Sequence, residues 1–294
     1  MSERASEPMS RCRPLVMGAV AYDAKVVTIW DGFRRWFADQ GLPFDWVLYS
    51  NYERQVDELL AGRIDVAWNS PLAWVRARRM AEAGGQRVAA LRMRDTDQGL
   101  TSVVVVRRES DVQAPADLRG RTVATGAVDS PQGTLLPLSW LRAQGLDPGT
   151  DFAVRRFEIG VGLHGDHIGG ERDAARALAA GEVDAACMID ANLLLFEREG
   201  TLPPGTRVIG QTAPYDHCNM TIGPSAEPDA VERFVALLDS MSYADAVVRP
   251  LLDLEGLKAW VGGRTAGYAA LESAVDETGF YSADGHVTAD DYAP

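Results

Sequence analysis

Apolar positions along the chain alternate between two patterns. Short runs rich in β-branched residues mark buried strands, and stretches with apolar residues three and four apart mark amphipathic helices. Residues 14–20 (PLVMGAV) predict a first strand, and 28–40 predict a helix with Ile29, Phe33, Trp36 and Phe37 on one face. A strand at 44–49 and a helix at 52–61 follow, with Gly62 where a glycine commonly ends a helix. Residues 64–68 form a third strand, running into Asn69, Ser70 and Pro71. Further strands are predicted at 101–107, 121–125, 155–158, 207–210 and 215–222, with a loop and short turn over 111–118. Helices are predicted at 134–144, 170–180 and 191–198, and a helical pattern over 229–240, 244–252, 254–261 and 268–278. Residues 282–294 are polar and read as a frayed tail. Strand and helix in alternation imply an α/β fold with mixed, mostly parallel sheets.

A short echo bears on the layout. AGRIDVAW at 61–68 returns as AGEVDAAC at 180–187, each a helix end, a glycine stop, a charge, a β-branched residue, Asp and a short strand. At 119 positions apart it is too widely spaced for a solenoid repeat and predicts two lobes of like topology. The expected division is a disordered start at 1–13, a first lobe from 14–105 and 212–281, a second from 106–211, and a tail at 282–294. The strands at 101–107 and 215–222 are then the hinges of a two-lobed fold with a central cleft.

Composition narrows the partners. The 294 residues carry 42 acidic against 29 basic side chains, a net charge of −13, which repels phosphate backbones and argues against nucleic acid. Cys12, Cys187 and Cys218 are too scattered for a disulfide framework or a CxxC metal site, so neither a metal nor a cofactor is expected. No run approaches the ~20 apolar residues of a membrane span. The start, MSERASEPMSRCRP, has no apolar leader, which implies a cytoplasmic chain as given, or a periplasmic or extracellular one if a signal has been removed.

Several segments could carry chemistry. GAVDSPQGT (126–134) follows a strand and opens a helix, where unpaired N–H groups and the hydroxyls of Ser130 and Thr134 suit an anion. The same residues also suit an ordinary helix cap. In LHGDH, His164 and His167 are spaced for a metal if helical, but the flanking glycines favour a loop, either solvated or in contact with a ligand. Asn69, Ser70 and Asp190 stand at strand ends, where α/β sheets bind ligands, and Asp190 also suits a cap. Tyr22 and Lys25 follow the first strand; Lys25 could form a Schiff base, although a loop lysine is usually solvated. His217 and Cys218 would be a nucleophile pair, but adjacent residues on a strand face opposite ways, so Cys218 is read as packing. The tryptophans at 30, 36, 46, 68 and 74 are read mostly as core.

From about 14 to 280 the chain resembles the phosphonate/phosphite substrate-binding proteins of ABC importers, which have the type II periplasmic-binding fold. The resemblance rests on LLAGRIDVAWNSPLAW, SVVVVRRESDVQAPADLRGRTVA, VDSPQGT and GDHIGGERDAARALAAGEVDAACMID. It implies a small anionic or zwitterionic ligand such as a phosphonate or phosphate, bound as the cleft closes, and an ABC permease as partner if the chain is exported. It implies that Ser130, Gln132, Gly133 and Thr134 hold the oxyanion, that His167 and Asp190 join them, and that Tyr22 and Asn69 contribute from the first lobe. Asn219 is placed with that first-lobe group. Pro131 departs from the family's Ser-Thr-Ser-Gly run and has no N–H to donate. Lacking a leader, the chain also fits cytosolic enzymes that reuse this fold, such as chorismate dehydratase. In that case His167, His217, Asp190 and Lys25 are the candidate acids, bases or nucleophiles.

Overall fold

A computed structural model describes residues 13–165 and 169–294 of the protein. His167 and the first twelve residues therefore lie outside the described residues. The strands are β1 (Leu15–Val20), β2 (Phe44–Tyr49), β3 (Val66–Asn69), β4 (Ala89–Arg94), β5 (Ser102–Val106), β6 (Thr122–Thr125), β7 (Ala153–Arg156), β8 (Ala185–Ile189), β9 (Arg207–Gln211), β10 (Asn219–Ile222) and β11 (Trp260–Gly262). The helices are α1 (Lys25–Asp39), α2 (Tyr52–Leu60), α3 (Pro71–Ala83), α4 (Leu136–Ala143), α5 (Gly169–Ala179), α6 (Asp190–Arg198), α7 (Pro228–Ser240), α8 (Arg249–Glu255) and α9 (Ala269–Thr278).

Two sheets organise them, in the orders β11-β4-β10-β3-β1-β2 and β7-β6-β8-β5-β9. Leaving β11 aside, the two are the same arrangement. β1 pairs parallel with β2 and β3 as β6 does with β7 and β8, and the returning strands β10 and β5 pair antiparallel on both sides. The sequence echo sits at matched places in the two sheets. Gly62 and Gly181 both take φ near +70°, at 71° and 75°, and so end α2 and α5. Arg63 and Glu182 donate N–H back to Glu58 and Ala177, each at 3.0 Å, the bond that closes this type of helix end. Asp65 then accepts the N–H of Val16 at 2.9 Å, and Asp184 that of Thr122 at 2.8 Å. Each Asp thus pins the start of its lobe's central parallel strand.

The echo supports an unequal pair of outcomes. Asp65 has a side chain 3% exposed and also holds Arg13, whereas Asp184 is 30% exposed. Asp65→Ala should cost about 1–3 kcal/mol because it buries an unpaired N–H, and Asp184→Ala distinctly less because water can replace the lost acceptor. Urea unfolding of both variants tests the order, and equal losses would contradict it.

β5 lies wholly in the second sheet, so the first crossing between sheets runs over 95–101, before the expected 105, and the return runs over 212–218. The crossings lie side by side, with Leu100 and Tyr215 exchanging both N–H···O bonds at 2.8 Å. Three further features depart from the sequence pattern. Residues 254–261 are not one helix: β11 pairs there with β4, because Trp260 packs edge-on to Trp68 and Phe33 in the first core. α3 is buried nearly all round and so shows no amphipathic stripe. The tail is not frayed. Arg76 and Arg79 of α3 hold its carbonyls at Gly285 and Ser282, and Tyr292 packs on Phe280 with centroids 4.8 Å apart.

Candidate functional site

A cavity of about 240 Å³ opens between the sheets, lined among others by Arg94, Asp97, Gln132, Glu171, Asn192 and His217. These residues come from the end of β4, both crossings, the turn between β6 and α4, and the first turns of α5 and α6. Side chains from both lobes and from both crossings therefore meet at one place.

The turn after β6 is built by Ser130. Its Oγ accepts from Gly133 N at 3.0 Å, and its carbonyl accepts from both Thr134 N and Leu135 N, which widens the turn before α4 begins. Ser102 Oγ on β5 donates to the Gln132 carbonyl at 2.7 Å and meets Tyr215 Oη at 2.8 Å. The turn is thereby tied to the start of β5 and to the return crossing. Gln132 Nε2 donates to Gly165 O at 2.5 Å, and its Oε1 has no partner among the described residues.

Glu171 is 3% exposed. Burial pushes its carboxyl above the ordinary range, although Oε2 accepts from Asn192 Nδ2 at 2.8 Å and Ile189 N at 2.9 Å. Across the cavity, Arg94 donates to both oxygens of Asp97 at 2.6 and 2.8 Å, lies 3.5 Å from Glu255 and covers the Trp68 ring. Burial opposes the charge on Asp97, but Arg94 and His217 overcome it and hold the carboxyl down at about 2. His217 donates its N–H to Asp97 O at 2.8 Å, and its Nδ1 lies 3.1 Å from Cys218 Sγ. That contact corrects the expectation that adjacent residues could not meet. Residues 216–218 precede β10 and do not alternate as a strand does.

The other sequence candidates fall in several places. Ser130, Gln132 and Gly133 sit together, covered by Gly165. Thr134 lines a different cavity, of about 440 Å³, with Arg142, Arg156 and Phe280. Asn69 and Asn219 face each other in register and are engaged within the sheet, Asn69 with Gln55 and Thr221, Asn219 with Thr221 and Tyr268. Asp190 accepts from Thr101 Oγ1 at 2.8 Å and from Ala191 N, which fastens α6 to the first crossing. Lys25 is exposed and stacks over Tyr22; neither lines the cleft cavity.

Ser70 caps α3 and meets His164 Nδ1 at 2.7 Å. His164 is fully buried, at φ 50°, with Nε2 2.9 Å from Glu53 Oε1 and its ring stacked on Tyr52. It belongs to the loop that follows the second lobe's β7, so this cluster joins the lobes. Tyr281 Oη donates to the same Glu53 oxygen at 2.7 Å, and Tyr292 Oη, 3.4 Å from His164 Nε2, brings the tail into the joint.

Sequence reading missed Glu53, Arg94, Asp97, Glu171 and Asn192. Glu171 carried a signal: it stands three, four and seven places before Ala174, Ala175 and Leu178, all buried, so a carboxyl falls on the apolar stripe of its helix. Arg94 and Asp97 pair with each other three positions apart, but the partners that bury the pair at the cavity, His217 and Glu255, are distant in the chain.

Residues 18–268 match the model of a family described as "ABC transporter, phosphonate, periplasmic substrate-binding protein". Among solved structures, PhnD1 from Prochlorococcus marinus in complex with methylphosphonate is similar, with a TM-score of 0.66 at 15% identity over 90% of this chain and 98% of that one. A Xanthomonas citri protein bound to ATP gives 0.68 at 18% identity, over 90% and 97%. The aliphatic sulphonate binding protein SsuA of Escherichia coli gives 0.56 at 20%, over 90% and 91%. These likenesses show the two-lobed type II periplasmic-binding fold. Among the described residues no helix is long and apolar enough to cross a membrane. With the family model covering most of the chain and the paired sheets in place, the chain belongs to the phosphonate periplasmic substrate-binding protein family of ABC transporters.

Proposed function

We propose that the protein captures a small oxyanion, or a zwitterion bearing one, by closing its lobes over the cavity at the crossings, and delivers it to an ABC permease outside the cytoplasmic membrane. The observation that carries this reading is the convergence of Arg94, His217, Gln132 and Asn192 from both lobes on one polar cavity. The N–H and amide groups supply donors that the Pro131 position lacks. Glu171, buried with an upward-shifted carboxyl, suits a ligand with an ammonium or a protonated oxygen.

An enzymatic reading finds less support. His217 Nδ1 faces both Cys218, at 3.1 Å, and Asp97, at 3.6 Å. A single ring nitrogen cannot take a proton from the thiol while being oriented by the carboxylate, as a relay requires.

Thermal unfolding against methylphosphonate, phosphate, sulfonates and aminated phosphonates tests the reading. A ligand at 100 times its dissociation constant should stabilise by about 2.7 kcal/mol. Gln132→Ala should weaken binding of the best ligand by roughly 10–100-fold, the loss of a hydrogen bond to a charged group. Glu171→Gln should weaken only the aminated compounds. If no compound raises the midpoint, the cleft does not take an oxyanion.

A further inference from the structure

Asp97, His217 and Cys218 present an oxygen, a nitrogen and a sulfur within 4.8 Å of one another, all buried. Such a set is what a borderline divalent ion takes: carboxylate, imidazole and thiolate, with one position left over. In a tetrahedral zinc site with ordinary bond lengths, neighbouring donor atoms lie roughly 3.3–3.5 Å apart. Here Nδ1 of His217 lies 3.1 Å from Sγ of Cys218 and 3.6 Å from Oδ1 of Asp97. The two edges that meet at His217 are therefore near that length, and Asp97 and Cys218 lie within 4.8 Å of each other.

The surroundings hold them there. His217 is fixed from both sides of its backbone, its N–H on Asp97 O at 2.8 Å and its carbonyl on Tyr268 Oη at 2.8 Å. Arg94 grips Asp97 through both oxygens, yet each carboxylate oxygen has a second lone pair, so Asp97 can serve Arg94 and an ion together. Arg94 lies between two buried carboxylates, Asp97 and Glu255.

We propose that Asp97, His217 and Cys218 form a binding site for a divalent zinc-like ion at the wall of the cleft. Asp97 and His217 line the cavity, so the fourth position is available to water or to the captured anion. Binding displaces the Cys218 thiol proton to solvent, so affinity rises with pH. The inference does not depend on the oxyanion reading, since the donors are protein atoms.

The test uses the full chain, freed of metal with a chelator and titrated with Co²⁺ alone in buffer without phosphate or phosphonate. The expected result is a thiolate-to-cobalt band in the near ultraviolet that saturates at one Co²⁺ per chain and is displaced by Zn²⁺. Cys218→Ser should abolish the band, Cys12→Ser should leave it, and Asp97→Asn should weaken affinity at least tenfold. No thiolate band at one equivalent, or a band that survives Cys218→Ser, would overturn the site. Should a variant fail to fold, the unaltered protein decides: an unfolding midpoint unmoved by Zn²⁺ overturns it equally.

Discussion

Replacing His164 with alanine should lower the unfolding free energy by about 3–5 kcal/mol, the usual effect of removing one partner from a buried charge-assisted pair. Glu53 would lose the ring at 2.9 Å and keep the hydroxyls of Tyr281, at 2.7 Å, and Tyr292. The stacked contact with Tyr52 and the bond to Ser70 would go with it. Because these contacts run between the lobes, the variant should also expand. Denaturant unfolding and the radius of gyration from X-ray scattering, both without ligand, read the two effects. His164→Gly separates a second contribution: at φ 50° a side chain is strained, so glycine should recover about 1–2 kcal/mol relative to alanine. An unchanged midpoint and an unchanged radius would show that the joint holds nothing together.

Stability should peak on the acid side of neutrality and collapse below it. Burial works against the Glu53 carboxylate, but His164 and the hydroxyls of Tyr281 and Tyr292 overcome it and hold it at about 2. Asp97 is likewise held at about 2. A carboxyl depressed in the folded state contributes stability above its unfolded value and loses it as pH falls through the folded one. For Glu53 that is roughly 3 kcal/mol, lost between about pH 4.5 and 2. Glu171 and Asp129 are shifted the other way, chiefly by burial. Their folded forms hold protons more tightly, so their contribution is full below the ordinary carboxyl range and falls as pH rises above it. The opposed pairs put the maximum around the ordinary carboxyl range. Midpoints measured from pH 3 to 8 should show it, Glu171→Gln should flatten the neutral limb, and His164→Ala the acid limb. A curve that rises steadily from pH 5 to 8 would contradict the assignment of Glu171.

The joint around His164 and the cavity around Glu171 lie against the two faces of one loop. Gly165, next to His164, covers Ser130 and receives the Gln132 amide. Gln132 is therefore bonded to the same segment that carries His164 to the first lobe.

How far the sequence reached differs from element to element. β2 was legible to the residue, and α2, α5 and α7 within a few positions, because each is one-sided and its period survives in the pattern, while β1, buried on both faces, was legible as a short apolar run. The matched sheets were legible through a single echo, whose aspartates pin equivalent strands for the same reason in both lobes. α3 was not legible, being buried on all sides, and neither was β11, whose place is set by Trp68 and Phe33.

The site divides along the same line. Local chemistry marked the Ser130 turn, since a strand followed by a capping residue and a helix is a short-range pattern. It could not mark Arg94 with Glu255, Asp97 with His217, or His164 with Glu53, which meet only once two crossings and two lobes are folded together. Nor could it tell that Thr134 turns to another cavity, that the tail packs on α3, or that Asn69 and Asn219 are engaged within the sheet. Periodicity and caps are properties of neighbouring residues, so the sequence by itself determined the one-sided elements, the doubled topology and the Ser130 turn. Burial, charge pairing and the partners of each polar group depend on residues far apart in the chain, and only the tertiary structure decided them.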